Sequence, residues 1–148
     1  MTHQTHSHRW LPQLVDNQVY IACTSWTEDE IFYNRSINGG TVFGNTINLS
    51  NDPGKSYYVL ISVSSNNNVN ILWSYNIPGN EDVFFRKSSS GGAGFGCTLN
   101  LSNSIGDKSQ INLAMAGGGN SIYTTWIGDT TGNNDIYFRT SPPPAPVP

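Results

Sequence analysis

Few side chains in this chain could carry chemistry, and their spacing decides most of what they could do. All three histidines, His3, His6 and His8, fall within the first nine residues, so no Ser/His/Asp relay can be assembled from the rest of the chain. Acids cluster as Glu28, Asp29 and Glu30 and again as Glu81 and Asp82. A glycosidase needs two carboxyl groups at a set separation across one bond, whereas these occupy matching turns and strand starts, which points to repeated structure. Asp129, Asn133, Asn134 and Asp135 offer oxygen ligands of the kind calcium takes; the same residues are also what tight turns use, and the turn reading is the stronger. Trp26 lies in a loop and has no counterpart elsewhere, which makes it a candidate for contact with a ligand.

These residues must be positioned by something that occurs more than once. Glu30 to Asn51 reads EIFYNRSINGGTVFGNTINLSN, Asp82 to Asn103 reads DVFFRKSSSGGAGFGCTLNLSN, and Asp135 to Ser141 reads DIYFRTS. The offset is about 52 residues, long enough for one supersecondary unit that buries its faces only by stacking on copies of itself. Short apolar runs bounded by Gly, Asn, Asp and Ser predict strands in sets of four. The first set is 10–15, 19–23, 31–36 and 43–49, and the second is 57–63, 69–75, 82–87 and 95–101. A third set, 110–115, 122–127 and 136–140, stops after three strands. Runs such as Val83-Phe84-Phe85 are apolar at successive positions, so both faces of those strands are expected to be covered. Trp73 and Trp126, with Cys23 at the matching place, are expected in the packing between sheets. The predicted fold class is all-β: β-propeller blades, two complete four-stranded blades plus three strands of a third, in an incomplete ring. A β-sandwich would explain the strand lengths equally well, but it gives no reason for the echo.

The turn between the third and fourth strand of each set carries a family pattern. Ser36-Ile37-Asn38-Gly39-Gly40-Thr41-Val42-Phe43 and Ser88-Ser89-Ser90-Gly91-Gly92-Ala93-Gly94-Phe95 resemble the Asp-box, or BNR repeat, of sialidase-like β-propellers. The pattern positions are Ser36, Asn38, Gly40 and Phe43 in one copy and Ser88, Ser90, Gly92 and Phe95 in the other. The box Asp is replaced by Asn38 and Ser90, both able to accept backbone N–H bonds in a turn. The resemblance implies a structural role for these turns, at the periphery of the propeller. It also implies an extracellular or cell-surface setting, and that sialidase chemistry would need an arginine triad, a Tyr/Glu pair and an acid/base Asp. Arg9, in Arg9-Trp10-Leu11-Pro12, resembles the start motif of that triad faintly. Arg35, Arg86 and Arg139 sit in mid-strand, where they are spread among the repeats.

Only 11% of the residues are charged and the net charge is -3, against about 25% charged in an average soluble protein. With no basic stripe, nucleic acid is excluded as an expected partner, and no apolar run is long enough to span a bilayer. The opening residues have no apolar core of the signal-peptide kind, and the compartment stays open. Cys23 and Cys97 sit at unlike points of the repeat and are expected to be free thiols. Residues 1–9 read as a flexible tail, 10–141 as the repeats (10–52, 53–105 and 106–141), and 142–148 as a Pro-rich tail. Open ends of such a stack invite partners, so a homo-oligomer or a place in a longer propeller is expected. The expected function is a non-catalytic module for binding or scaffolding, with glycans or surface proteins as partners. A fragment of a sialidase or other glycoside hydrolase and a purely structural repeat are the two alternatives. No cofactor is expected beyond the calcium alternative at Asp129, Asn133 and Asp135.

Overall fold

The computed structural model describes residues 10–78, 80–115, 121–129 and 132–141. They form three antiparallel meanders and no helix. The first sheet runs in the order β1 (Trp10–Val15), β2 (Gln18–Ser25), β3 (Glu30–Ser36) and β4 (Ile47–Asn48). The second repeats it with β5 (Lys55–Val63), β6 (Val69–Ile77), β7 (Asn80–Ser88) and β8 (Leu99–Asn100). The third has β9 (Lys108–Met115), β10 (Ile122–Gly128) and β11 (Asp135–Ser141). None of the three sheets closes into a barrel. With no helix, the described residues hold none long and apolar enough to cross a membrane.

The fourth strands are shorter than the sequence pattern suggests. Each is two residues long, paired as Phe32↔Asn48 with Tyr33↔Ile47 and as Phe84↔Asn100 with Phe85↔Leu99. After the preceding turn, Gly44 N donates to Arg35 O and Gly96 N to Lys87 O, each at 2.9 Å. The chain leaves the ladder there and rejoins it only at Ile47 and Leu99.

Packing explains why successive residues of one strand are apolar. On β6, Val69, Ile71 and Trp73 face the first sheet and join Tyr20, Ala22, Ile31, Tyr33 and Leu49 in one core. Leu72 faces the other way and joins Val83, Phe85, Leu101, Ile111, Ile122 and Trp126 in a second core against the third sheet. Alternate side chains of a strand point to opposite faces, so a middle sheet packed on both sides reads as a continuous apolar run. Trp73 and Trp126 lie in these two cores as expected. Both cysteines are free, Cys23 buried and Cys97 exposed.

Polar contacts tie the sheets together at both ends. Ser56 N donates to Asp29 O at 2.7 Å, and Glu81 N to Gly106 O at 3.4 Å. At the opposite end Tyr20 Oη reaches Asn67 Oδ1 at 3.4 Å, and an Arg35 Nη1 hydrogen bonds to Gly91 O.

Candidate functional site

The turns with the family pattern are built alike. Ser36 Oγ accepts from Gly40 N at 3.0 Å and Asn38 Oδ1 from Val42 N at 2.9 Å. Ser88 Oγ accepts from Gly92 N at 2.9 Å and Ser90 Oγ from Gly94 N at 3.2 Å. Asn38 and Ser90 therefore do the same work with different side chains, each satisfying an N–H four residues on. Phe95 packs edge-on against Tyr33 with centroids 4.8 Å apart, while its counterpart Phe43 lies on the open face of the first sheet.

A second set of repeated bonds accounts for the Asn-Leu-Ser-Asn echo. Ser50 Oγ accepts from Ile31 N at 2.9 Å and donates to Glu30 Oε2. Ser102 Oγ accepts from Val83 N at 3.0 Å and donates to Asp82 Oδ1 at 2.6 Å. Glu30 and Asp82 are thus spent on clamping the short fourth strand to the third.

Their chain neighbours Asp29 and Glu81 meet in a groove at this same end of the sheets, opposite the Ser36 and Ser88 turns. There Trp26, Asp29, Lys55, Tyr57, Tyr58, Glu81 and Ser109, drawn from all three sheets, line an open groove of about 640 Å³, a size suited to a small ligand. A β-bulge between Tyr57 and Leu60 shapes it. Tyr58 sits at φ +52° within that bulge, a conformation rare for a bulky residue, and its ring is more than half exposed. The Tyr57 and Tyr58 rings meet edge to face at 4.9 Å. Bulges commonly re-aim a side chain next to a site.

Charge in the groove is uneven. Lys55 Nζ lies 2.8 Å from Asp29 Oδ2, and Glu81, the other carboxylate of the groove, has no salt-bridge partner among the described residues. Glu81 is only 9% exposed, and its Oε1 has no hydrogen-bond partner among the described residues. Burial pushes its carboxyl above the ordinary value and Asp107 adds to that, while the Tyr57 and Ser74 hydroxyls and Lys108 oppose it. Lys108 is fully buried, its Nζ donating to the carbonyls of Ser104 at 3.1 Å, Ile105 at 3.2 Å and Gly106. It ties the loop 104–106 to the start of β9, next to Ser109. Burial and the adjacent Glu81 hold the Tyr57 hydroxyl well above its usual range. Tyr57 is therefore a neutral hydrogen-bonding group at physiological pH and a poor nucleophile.

The remaining candidates lie elsewhere. Asp129 Oδ1 accepts from Asp107 N at 2.7 Å, and Asp129 O from Gly132 N at 2.8 Å. Asn133 is exposed, and Asp135 opens β11 opposite Gly128. Among the described residues no three His, Cys, Asp or Glu side chains group as metal ligands. Arg35 is held on the turn of the second sheet, Arg86 is half-buried in β7 and Arg139 is exposed on β11, and none of the three lines the groove. Arg9, the histidines and the Pro-rich tail fall outside the described residues.

Trp26 is the one groove residue singled out from the sequence. Glu81 is missed because it reads as a strand-start acid like its neighbour Asp82, although its repeat counterpart Asp29 also lines the groove. The Tyr57-Tyr58 doublet at the head of a strand is the signal that could have drawn attention to this end.

Two four-stranded antiparallel meanders and one of three strands, stacked with a groove of aromatic rings and carboxylates at one end, define the class of protein. Compared with protein-family models and with curated proteins, the chain matches none.

Proposed function

We propose that the chain is a non-catalytic binding module made of sialidase-like propeller blades, and that its groove takes neutral glycans. The observation that carries this reading is the lining of the groove, where the Glu81 carboxylate stands beside the rings of Trp26, Tyr57 and Tyr58. A carboxylate at the groove wall accepts hydrogen bonds from ligand hydroxyls. Sugars combine hydroxyl donors with apolar C–H faces, which suits a carboxylate flanked by aromatic rings that are apolar in body and polar at the tip.

Charge favours a neutral sugar over an acidic one. Among the described residues Asp29 and Glu81 outnumber Lys55 and no arginine lines the groove, so a carboxylate-bearing sugar would meet net repulsion there. Turnover is disfavoured as well. Glycoside hydrolysis needs a second free carboxyl group across the bond, and Asp29 is already paired with Lys55. The repeated turns and the sheet stacking support the blade reading.

A glycan array probed with the full chain tests this. Neutral oligosaccharides are expected to bind, sialylated ones to bind more weakly, and a fluorogenic sialoside to remain uncleaved. Trp26→Ala is expected to lower affinity about tenfold, near 1.4 kcal/mol. An array blank at high protein density, or sialoside turnover, would overturn the reading.

A further inference from the structure

The two outward faces of the stack repeat what the inner faces bury. Counted along the repeat, Ile136 stands where Ile31 and Val83 stand, and Phe138 where Tyr33 and Phe85 stand. The four inner residues are at most 2% exposed, whereas Ile136 is 81% and Phe138 62% exposed. Tyr123, the counterpart of fully buried Tyr20, stacks on Phe138 at a centroid distance of 5.9 Å on this outer face of the third sheet.

The outer face of the first sheet is complementary. Cys23 stands where Trp73 and Trp126 fill the two inner junctions, and the smaller side chain leaves a hollow of about 460 Å³ bordered by Ile21, Phe32 and Phe43. Among the described residues Phe43, the counterpart of Phe95, meets no neighbouring sheet as Phe95 meets Tyr33.

We propose that the outer face of the third sheet docks on the outer face of the first sheet of a second copy of this chain. Phe43 of the second copy then meets Phe138 as Phe95 meets Tyr33, and the Cys23 hollow receives the aromatic rings of the third sheet. The junction continues an interface that the chain already makes twice. Such a contact is heterologous, and it closes only if the rotation per sheet completes a circle. Two copies supply six sheets and three supply nine, and propellers hold roughly four to eight blades. The count of two rests on the blade reading above, not on the sugar site.

Light scattering on the full chain is expected to give twice the 16.2 kDa chain mass. Ile136→Asp with Phe138→Ser, on the third sheet, and Phe43→Asp, on the first, are each expected to give a monomer with an unchanged β circular-dichroism spectrum. Mixing the two variants is expected to restore a dimer, because one intact junction remains. A wild-type monomer at 100 µM, or variants that stay dimeric, would overturn the docking. A mixture that stays monomeric would do the same, since the mixed pair retains one intact junction of the proposed kind. A larger polymer dispersed by the same variants would keep the contact but break the blade count, and with it the closed dimer.

Discussion

At the scale of single residues, burial separates two carboxylates that look alike in sequence from those doing structural work. Glu30 and Asp82 are bound by serine hydroxyls of the fourth strands. Glu81 and Asp52 are instead raised by burial. Asp52 lies beside Glu30 and is pushed up to about 6 from 3.8, chiefly by desolvation and then by that neighbour, with Ser56 and Gly54 opposing. A carboxyl whose folded value is raised stabilises the fold most below its unfolded value, and the contribution is lost as pH rises through 6. Acidifying from pH 7 toward 5 should therefore raise stability at this position. Asp52→Asn should remove that dependence and raise Tm at pH 7 by roughly 3 °C, about 1 kcal/mol once solvent screening is allowed for. Thermal melts of both proteins at pH 5 and 7 check this, and an unchanged or lower Tm for the variant at pH 7 would contradict it.

At the scale of elements, strands were legible in the sequence and the groove was not. Val83-Phe84-Phe85 and its echoes announce strands covered on both faces, because a sheet between two others leaves no wet side. The fourth strands were overextended because apolar residues such as Phe43 and Phe95 look like strand starts, while Gly44 and Gly96 bind backbone carbonyls of the preceding strand instead. The groove escaped notice for a different reason. Its residues run from Trp26 to Ser109 in sequence, and one of them is aimed by a bulge at Tyr58 that no apolar pattern encodes. Turn chemistry at this scale is open to test. Gly92 has φ +75°, and a Cβ there would lie 1.8 Å from Tyr33 Oη, whose ring is buried and unable to retreat. Gly92→Ala should cost about 2 kcal/mol, seen as a lower denaturation midpoint with unchanged slope. Gly94→Ala, where nothing lies within 4 Å, should be nearly neutral.

At the scale of the whole molecule, the stacking of three sheets brings the β2–β3 loop of the first together with strand starts of the second and third at one end. That arrangement lets the groove draw on all three, with Asp29 and Glu81 at equivalent repeat positions and Ser109 contributed by the third sheet. The cores between sheets hold Trp73 and Trp126, while Trp26 is partly exposed in the groove. Ligand binding should therefore register on Trp26 without disturbing the packing. The most direct measurement is a fluorescence titration of the full chain with a panel of neutral oligosaccharides, alongside Trp26→Phe and Glu81→Gln. A neutral glycan in the groove requires a saturable change that disappears in Trp26→Phe. Glu81→Gln should weaken it about tenfold or more, because a hydrogen bond to a charged group contributes about 1.5–3 kcal/mol. Affinity should also fall on acidification through the raised range of Glu81. A change that persists unaltered in both variants, or none with any neutral sugar, would contradict a glycan site at this end of the stack.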